Sequence, residues 1–186
     1  MTGDATSDAT VLVIEDERHL ADLYADYLGD EYAVVTAYTG EEGIERLTSD
    51  VDVVLVDRRM AGLWGHEVVA AIEDSDVDCR VALVTDTPPD FDVIGFGVDD
   101  YLVKPVTREE TVDVVDRLLA VTEYTAVLQR LTRKKLTRNV LRVERSRAEL
   151  SQSERYRELH REISDLQETV DELAAELDLE ERELVL

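Results

Sequence analysis

The sequence is poor in the residues that form disulfides, thiolate metal clusters and tight turns. It has one cysteine, Cys79, in 186 residues, which excludes an intrachain disulfide framework and a zinc site built from several thiolates. All eight glycines lie at or before Gly97, and the last of three prolines is Pro105. Because turns depend on glycine and proline, their absence after Pro105 predicts a C-terminal part made of helices.

Long apolar runs are also missing. The sequence nowhere has 18 consecutive apolar residues, so no transmembrane helix is expected. Residues 1–10 have neither a basic start nor an apolar stretch, so they do not resemble a signal peptide. We therefore expect a cytoplasmic protein without membrane association.

Positive charge is scarce, and lysine in particular. Asp and Glu number 44 against 20 Lys and Arg, for a formal net charge of -24, and only three of the cations are lysines. Such a balance is typical of halophilic proteins, whose carboxylates hold water in concentrated salt. It argues against a general DNA-coating protein and against binding to an anionic membrane. An acidic mimic of nucleic acid remains the alternative.

The charge divides the chain in two. Residues 1–123 hold 30 acidic and 8 basic residues, net -22, and residues 124–186 hold 14 and 12, net -2. In the first part, short apolar runs alternate with amphipathic stretches. Five strands are predicted, near residues 11–14, 32–36, 51–57, 81–84 and 101–103. This alternation predicts an α/β fold with a parallel, doubly wound five-stranded sheet.

Polar residues follow the strands at the edge where such sheets bind ligands. Glu15 and Asp16 follow the first strand, Asp57 ends the third, Thr85 follows the fourth and Lys104 follows the fifth. If the first and third strands are neighbours, three carboxylates share one pocket, which is costly unless a cation lies among them. Hard oxygen ligands favour Mg²⁺. A carboxylate beside Mg²⁺ and Lys could act as a nucleophile toward phosphorus.

These residues resemble a response-regulator receiver domain over roughly residues 10 to 121. The resemblance rests on the run Val11-Leu12-Val13-Ile14-Glu15-Asp16-Glu17, on Leu55-Val56-Asp57, on Val84-Thr85 and on Tyr101-Leu102-Val103-Lys104-Pro105. It implies a CheY-like sheet of strand order 2-1-3-4-5. It also implies a cis peptide bond before Pro105.

The resemblance also implies a role for each site residue. Asp57 would accept a phosphoryl group from a sensor histidine kinase. Asp16, Asp57 and the backbone carbonyl of Arg59 would bind Mg²⁺, with Glu15 acting through water. Lys104 would pair with the phosphoryl oxygens. Thr85 and Tyr101 would form a switch pair that reshapes the face of the fifth strand and of the helix before it.

Several residues depart from the receiver pattern. Glu15 stands where many receivers have Asp, and Ala61 stands where a proline usually follows the loop methionine. Arg58 and Arg59 add positive charge next to Asp57. Asp86, directly after Thr85, would repel an incoming phosphoryl group unless its side chain points to solvent, which is the orientation we expect.

The C-terminal part contains a heptad-spaced apolar seam. Its positions have 3-4 spacing, typical of helix packing, and they are Tyr156, Leu159, Ile163, Leu166, Val170, Leu173 and Leu177. Upstream, a less regular stripe runs through Val127/Leu128, Leu131, Leu136, Val140, Val143 and Leu150. Ser151 and Glu154 fit a capping box, which predicts a helix start between the two stripes. The pattern leaves open a hairpin within one chain or a coiled coil between two.

The same part carries a basic segment. Residues 130–147 hold eight basic residues and one acid, and residues 148–186 hold 13 acids and 4 bases. This favours pairing of the basic segment with the acidic helix, or with the acidic receiver, over nucleic acid binding. Tyr124, Leu128, Leu131 and the stretch Ser153 to Leu159 resemble the HalX domain found after receivers in halophilic archaea. We therefore predict three regions, namely a disordered acidic N-terminus (1–9), a receiver (10–121) and a HalX-like helical domain (122–186).

Together these features predict a response regulator rather than an enzyme. Its partners would be a sensor histidine kinase and a second copy, paired through the C-terminal helices or the receiver switch face. The alternative is a DNA-binding transcriptional regulator that uses residues 130–147. A haloacid-dehalogenase-like phosphatase is disfavoured because it needs a second Asp at the position of Arg59, and a nucleotide-binding protein is disfavoured because no glycine-rich loop follows the first strand.

Overall fold

The computed structural model describes residues 9–87 and 97–177. The chain divides into two compact units, residues 1–119 and residues 120–186, and each is described by itself. Two predictions fall outside the described residues. They are the disordered N-terminus, of which only Ala9 is described, and the helix expected before the fifth strand.

The first unit is built on a parallel sheet of five strands in the order β2-β1-β3-β4-β5. The strands are β1 (Thr10–Ile14), β2 (Ala33–Ala37), β3 (Val53–Asp57), β4 (Arg80–Thr85) and β5 (Asp100–Val103). Every pairing is parallel, and β1 lies between β2 and β3 with Leu12 opposite Val35 and Val54. The predicted fold class and strand order are confirmed, and strand boundaries differ from those expected by at most two residues.

Helices connect the strands and cover both faces of the sheet. Among the described residues, those that belong wholly to this unit are α1 (Arg18–Leu28), α2 (Gly40–Arg46) and α3 (Gly65–Glu73). Alternate residues of each strand point to opposite faces, so one core contains Val11, Val13 and Leu55 and the other contains Leu12, Ile14 and Val56. Apolar runs without alternation are expected of strands that are buried on both sides.

A fourth helix, α4 (Arg108–Glu144), begins in the first unit and continues into the second. Its start follows a capping box in which Thr107 N–H donates to Glu110 (2.9 Å) and Glu110 N–H donates to the Thr107 hydroxyl (3.3 Å). Val114, Val115 and Leu118 pack into the sheet core. Among the described residues, no helix has the combination of length and apolar character that crossing a membrane requires.

The second unit contains the rest of α4, a short helix α5 (Arg147–Gln152) and α6 (Glu154–Glu176). Residues of α4 and α6 share one apolar core, so the two helices pack against each other within one chain. Its buried members are Val127, Leu131, Leu159, Ile163, Val170 and Leu173, with Tyr124, Leu141, Tyr156 and Leu166 packed partly buried against them. Six of the seven predicted seam residues therefore lie in this core, and Leu177 lies at the C-terminal end of α6.

The predicted upstream stripe is buried against α6 for only part of its length. Val127 and Leu131 are buried, but Leu136, Val140 and Val143 are 59%, 61% and 83% exposed. The apolar residues of α4 lie on two different faces of the helix, and α6 covers one of them.

The predicted helix start at Ser151 is also wrong. The capping box is formed five residues earlier, where Ser146 N–H donates to Glu149 (2.9 Å) and Glu149 N–H donates to the Ser146 hydroxyl (3.3 Å). Ser153 caps α6 by accepting from Tyr156 N–H. Ser151 lies inside α5 and donates to the carbonyl of Ala148. A serine three residues before a glutamate occurs at both places, so the motif alone could not select between them.

Candidate functional site

The carboxyl ends of β1 and β3 bring three carboxylates together. Asp57 is the last residue of β3, and Glu15 and Asp16 directly follow β1, which pairs with β3. Carboxylate oxygens of the three residues all lie within 4.8 Å of one another. Glu15 and Asp57 are buried, with 1% and 4% of their surface exposed. The predicted proximity of these side chains is thus present in the structure.

Lys104 joins this cluster from β5, the far edge of the sheet. Its Nζ donates to Glu15 Oε2 at 2.8 Å and lies 3.2 Å from Asp57 Oδ1. The Lys104 N–H donates to the carbonyl of Thr85 (2.8 Å), which extends the pairing of β4 and β5 by one residue. The Lys104–Pro105 peptide bond is cis, as the receiver resemblance implies.

Removal from water perturbs the ionisation of Glu15, Asp57 and the partly buried Lys104. Removal from water raises the pKa of Glu15 and of Asp57 above their ordinary values, although Lys104 acts in the opposite direction on both. For Lys104, burial disfavours the charged form. The hydrogen bond to Glu15 and the charge of Asp57 outweigh burial, so the pKa of Lys104 is raised. The pocket therefore holds its carboxylates at an electrostatic cost that one lysine relieves in part.

Asp16 is held differently from the other two acids. Its Oδ2 accepts a hydrogen bond from the backbone N–H of Ala61, at 2.8 Å. Ala61 stands where receivers usually have proline, and a proline could not donate this bond because it lacks an N–H. The departure from the family pattern at residue 61 thus has a structural role that sequence reasoning missed.

The loop after Asp57 approaches the site closely. The backbone N–H of Arg59 donates to the Asp57 carboxylate, which lowers the pKa of Asp57 against the effect of burial. Gly65 lies so near that a Cβ there would stand 2.4 Å from the Asp57 carbonyl oxygen. Gly65 was missed as a site residue, and a glycine is needed there because any Cβ would clash with the backbone of Asp57.

The two residues predicted to form a switch lie on neighbouring strands, Thr85 on β4 and Tyr101 on β5. Thr85 ends β4 and is buried, and its hydroxyl donates to the carbonyl of Thr87 at 3.0 Å. Tyr101 lies on β5 with 47% of its surface exposed, so its ring faces outward. Asp86 is exposed, in the orientation expected from its sequence position.

Comparison with known proteins agrees with this geometry. The family model of the response regulator receiver domain matches residues 11–116. The chain belongs to the response regulator receiver family. A second family model, the HalX domain, matches residues 120–186, so a receiver is followed by a HalX domain.

Individual relatives match the receiver region. The chain is 45% identical over 114 residues to a putative transcriptional regulator of Haloferax volcanii, a match that covers 61% of this chain and 20% of the relative. It is 31% identical over 114 residues to the response regulator SaeR of Staphylococcus epidermidis, covering 59% of this chain and 50% of SaeR. The chain therefore spans half or less of the length of these curated relatives.

Solved structures give the same result for the fold. A response regulator receiver domain protein from Clostridium thermocellum superposes with a TM-score of 0.57 at 27% identity, covering 62% of this chain and 97% of that one. The chemotaxis protein CheY4 of Vibrio cholerae superposes with a TM-score of 0.56 at 25% identity, covering 59% and 98%.

Proposed function

We propose that this receiver accepts a phosphoryl group on Asp57 from a sensor histidine kinase, in a reaction that depends on Mg²⁺. The observation that supports this most directly is the buried Asp57 carboxylate, which lies 3.2 Å from Lys104 Nζ and within 4.8 Å of Glu15 and Asp16 oxygens. A nucleophile, a cation and a set of hard oxygen ligands are thereby present in one pocket.

In the proposed transfer, an Asp57 carboxylate oxygen attacks the phosphorus of the donor. A new O–P bond forms while the bond from phosphorus to the donor's imidazole nitrogen breaks, and its electron pair remains on that nitrogen, which takes a proton from solvent. Hydrolysis of the resulting acyl phosphate restores the carboxylate and releases inorganic phosphate. The receiver thus takes part in its own phosphorylation and is not an enzyme acting on a separate substrate.

The three carboxylates fit a magnesium ion. Mg²⁺ favours oxygen ligands and keeps several waters, which suits two direct carboxylates, from Asp16 and Asp57, the Arg59 carbonyl, and Glu15 acting through water. The ion would neutralise negative charge on the transferring phosphoryl group. Burial raises the pKa of both Glu15 and Asp57, so clustered negative charge is unfavourable there and a cation would relieve it.

Lys104 is proposed to stabilise the phosphorylated state. Its ammonium group is already next to Asp57 and is only 15% exposed, so it can contact a phosphoryl oxygen on that residue without moving far. Its second partner, Glu15, keeps it oriented toward the pocket.

The switch is proposed to depend on Thr85 and Tyr101. The Thr85 hydroxyl would exchange its bond to Thr87 for one to a phosphoryl oxygen, and the exposed Tyr101 ring would turn inward. The rearranged face of β5 would change what the receiver binds. The helical domain, residues 122–186 in the predicted division, would then carry the output of the receiver, residues 10–121.

The test is phosphoryl loading at Asp57. Wild-type protein and Asp57→Ala are incubated with acetyl phosphate and Mg²⁺, and intact mass spectrometry counts bound phosphoryl groups. We expect one group on wild type, none on Asp57→Ala and none on wild type in excess chelator. Asp76→Ala removes an exposed carboxylate and should load as wild type does. Equal loading of wild type and Asp57→Ala would refute the proposal.

A further inference from the structure

The helix α4 carries a second face that has no charged residue. Six positions repeat at 4-3-4-3-4 spacing along its second-unit part, and they are Thr125, Gln129, Thr132, Leu136, Asn139 and Val143. Leu128 and Val140 flank them on the same side. None of these eight residues is charged, in a chain that is 34% charged. We call this set the neutral face of α4.

The neutral face is distinct from the face that packs on α6. At 100° per residue, its centre lies about 140° around the helix from the midpoint of Val127 and Leu131, which are buried in the hairpin. Leu136, Val140 and Val143 are 59%, 61% and 83% exposed, so within the described residues this face has no apolar partner. Contiguous exposed apolar side chains on a helix mark an interaction surface.

The two threonines on the neutral face can be covered without losing hydrogen bonds. The hydroxyls of Thr125 and Thr132 donate to the carbonyls of Val121 and Leu128, each at 2.8 Å. Both residues are therefore satisfied by their own helix. Burial of these two threonine side chains would therefore leave no donor unpaired. An unpaired buried donor is the main cost of placing a polar group in an interface.

We propose that the neutral face of α4 binds the same face of a second copy of this chain, so that two helical hairpins form a four-helix dimer. Heptad spacing is what two helices need to pack along their length. A two-fold interface brings a surface against itself, so a face without charge meets no like charge. A single asparagine at a seam position, here Asn139, commonly fixes register and oligomeric state by pairing with its counterpart.

Charge argues against other occupants of this face. The basic residues Arg130, Arg133 and Arg142 lie on α4 outside the neutral face, so a nucleic acid that used them would leave Leu136 and Val143 in water. An acidic protein partner would likewise be attracted to those arginines and not to a face without cations. A second copy is the partner whose chemistry matches the face itself.

The experiment measures self-association of the full chain by sedimentation velocity over a range of protein concentrations in concentrated KCl. Wild type should form a dimer. Thr132→Glu places a carboxylate in each half of the seam and should weaken dimerisation by about tenfold or more. Asn139→Leu replaces the seam amide with an apolar group. It should lower the dissociation constant of the dimer or increase the number of chains in the oligomer.

Thr137→Glu is the matched control. Thr137 is an exposed threonine of the same helix whose hydroxyl also donates four residues back, to Arg133 at 3.1 Å, but it lies outside the neutral face. The Thr137→Glu variant should dimerise as wild type does, and circular dichroism should show equal helix content in both Glu variants. Wild type that stays monomeric at every concentration overturns the proposal, as does equal weakening by Thr132→Glu and Thr137→Glu.

Discussion

At the scale of single residues, the candidate site is a balance of three carboxylates against one lysine. Lys104 contacts Glu15 and Asp57, while Asp16 is held by the Ala61 N–H. The site residues could be predicted because the ends of parallel strands meet at one edge of a sheet. Their partners could not be predicted, because the Glu15–Lys104 bond joins residues 89 positions apart through side-chain conformations that no local pattern encodes.

The single cysteine gives a prediction at the same scale. Burial raises the pKa of the Cys79 thiol from 9.0 to about 11. The thiolate is the reactive form, so at pH 8 the native protein should react with iodoacetamide about 100-fold more slowly than the unfolded chain. Alkylation followed by mass spectrometry, with and without urea, measures the two rates. Similar rates in both states would show that the thiol is not shielded.

At the scale of secondary-structure elements, the strands were predictable and the helical domain was predictable only in part. Apolar runs in β1, β3 and β4 are long enough to identify strands that are buried on both faces of a sheet. In α4 the apolar residues follow two faces, and helical periodicity does not show which face a neighbouring helix will cover. Of the predicted stripe, Val127 and Leu131 are therefore buried against α6, while Leu136, Val140 and Val143 are exposed.

The helix start at Ser146 gives a prediction for the helical domain. The Ser146 hydroxyl accepts from Glu149 N–H, and the Glu149 carboxylate accepts from Ser146 N–H. Ser146→Ala should lower the free energy of unfolding by about 1 kcal/mol, since it removes a helix N-cap. Ser151→Ala is the control, because Ser151 lies inside α5, and it should change stability by less than about 0.5 kcal/mol.

Urea unfolding followed by far-ultraviolet circular dichroism compares the two variants with wild type. A loss of stability in Ser151→Ala that equals or exceeds the loss in Ser146→Ala would contradict the cap assignment. That result would favour the helix start predicted from Ser151 and Glu154.

At the scale of the whole molecule, the acidic residues that produce the net charge of -24 have two different roles. Glu15, Asp16 and Asp57 form the candidate site, and Lys104 balances them in part. Most of the other acidic residues that the structure describes within residues 9–123 are exposed, and the net charge over residues 1–123 is -22. Exposed like charges repel one another and destabilise a compact state, and salt screens that repulsion.

Stability should therefore depend strongly on salt. Between about 0.1 M and about 1 M KCl the screening length falls from about 10 Å to about 3 Å, so the unfolding temperature should rise, most steeply at the lower concentrations. A double variant, Glu109→Gln with Asp113→Asn, removes two exposed charges of α4 and should show a smaller rise. Differential scanning calorimetry at a series of KCl concentrations measures this. A rise of equal size in the double variant would mean that salt acts through hydration of apolar surface and not through screening, because hydration does not depend on these two charges.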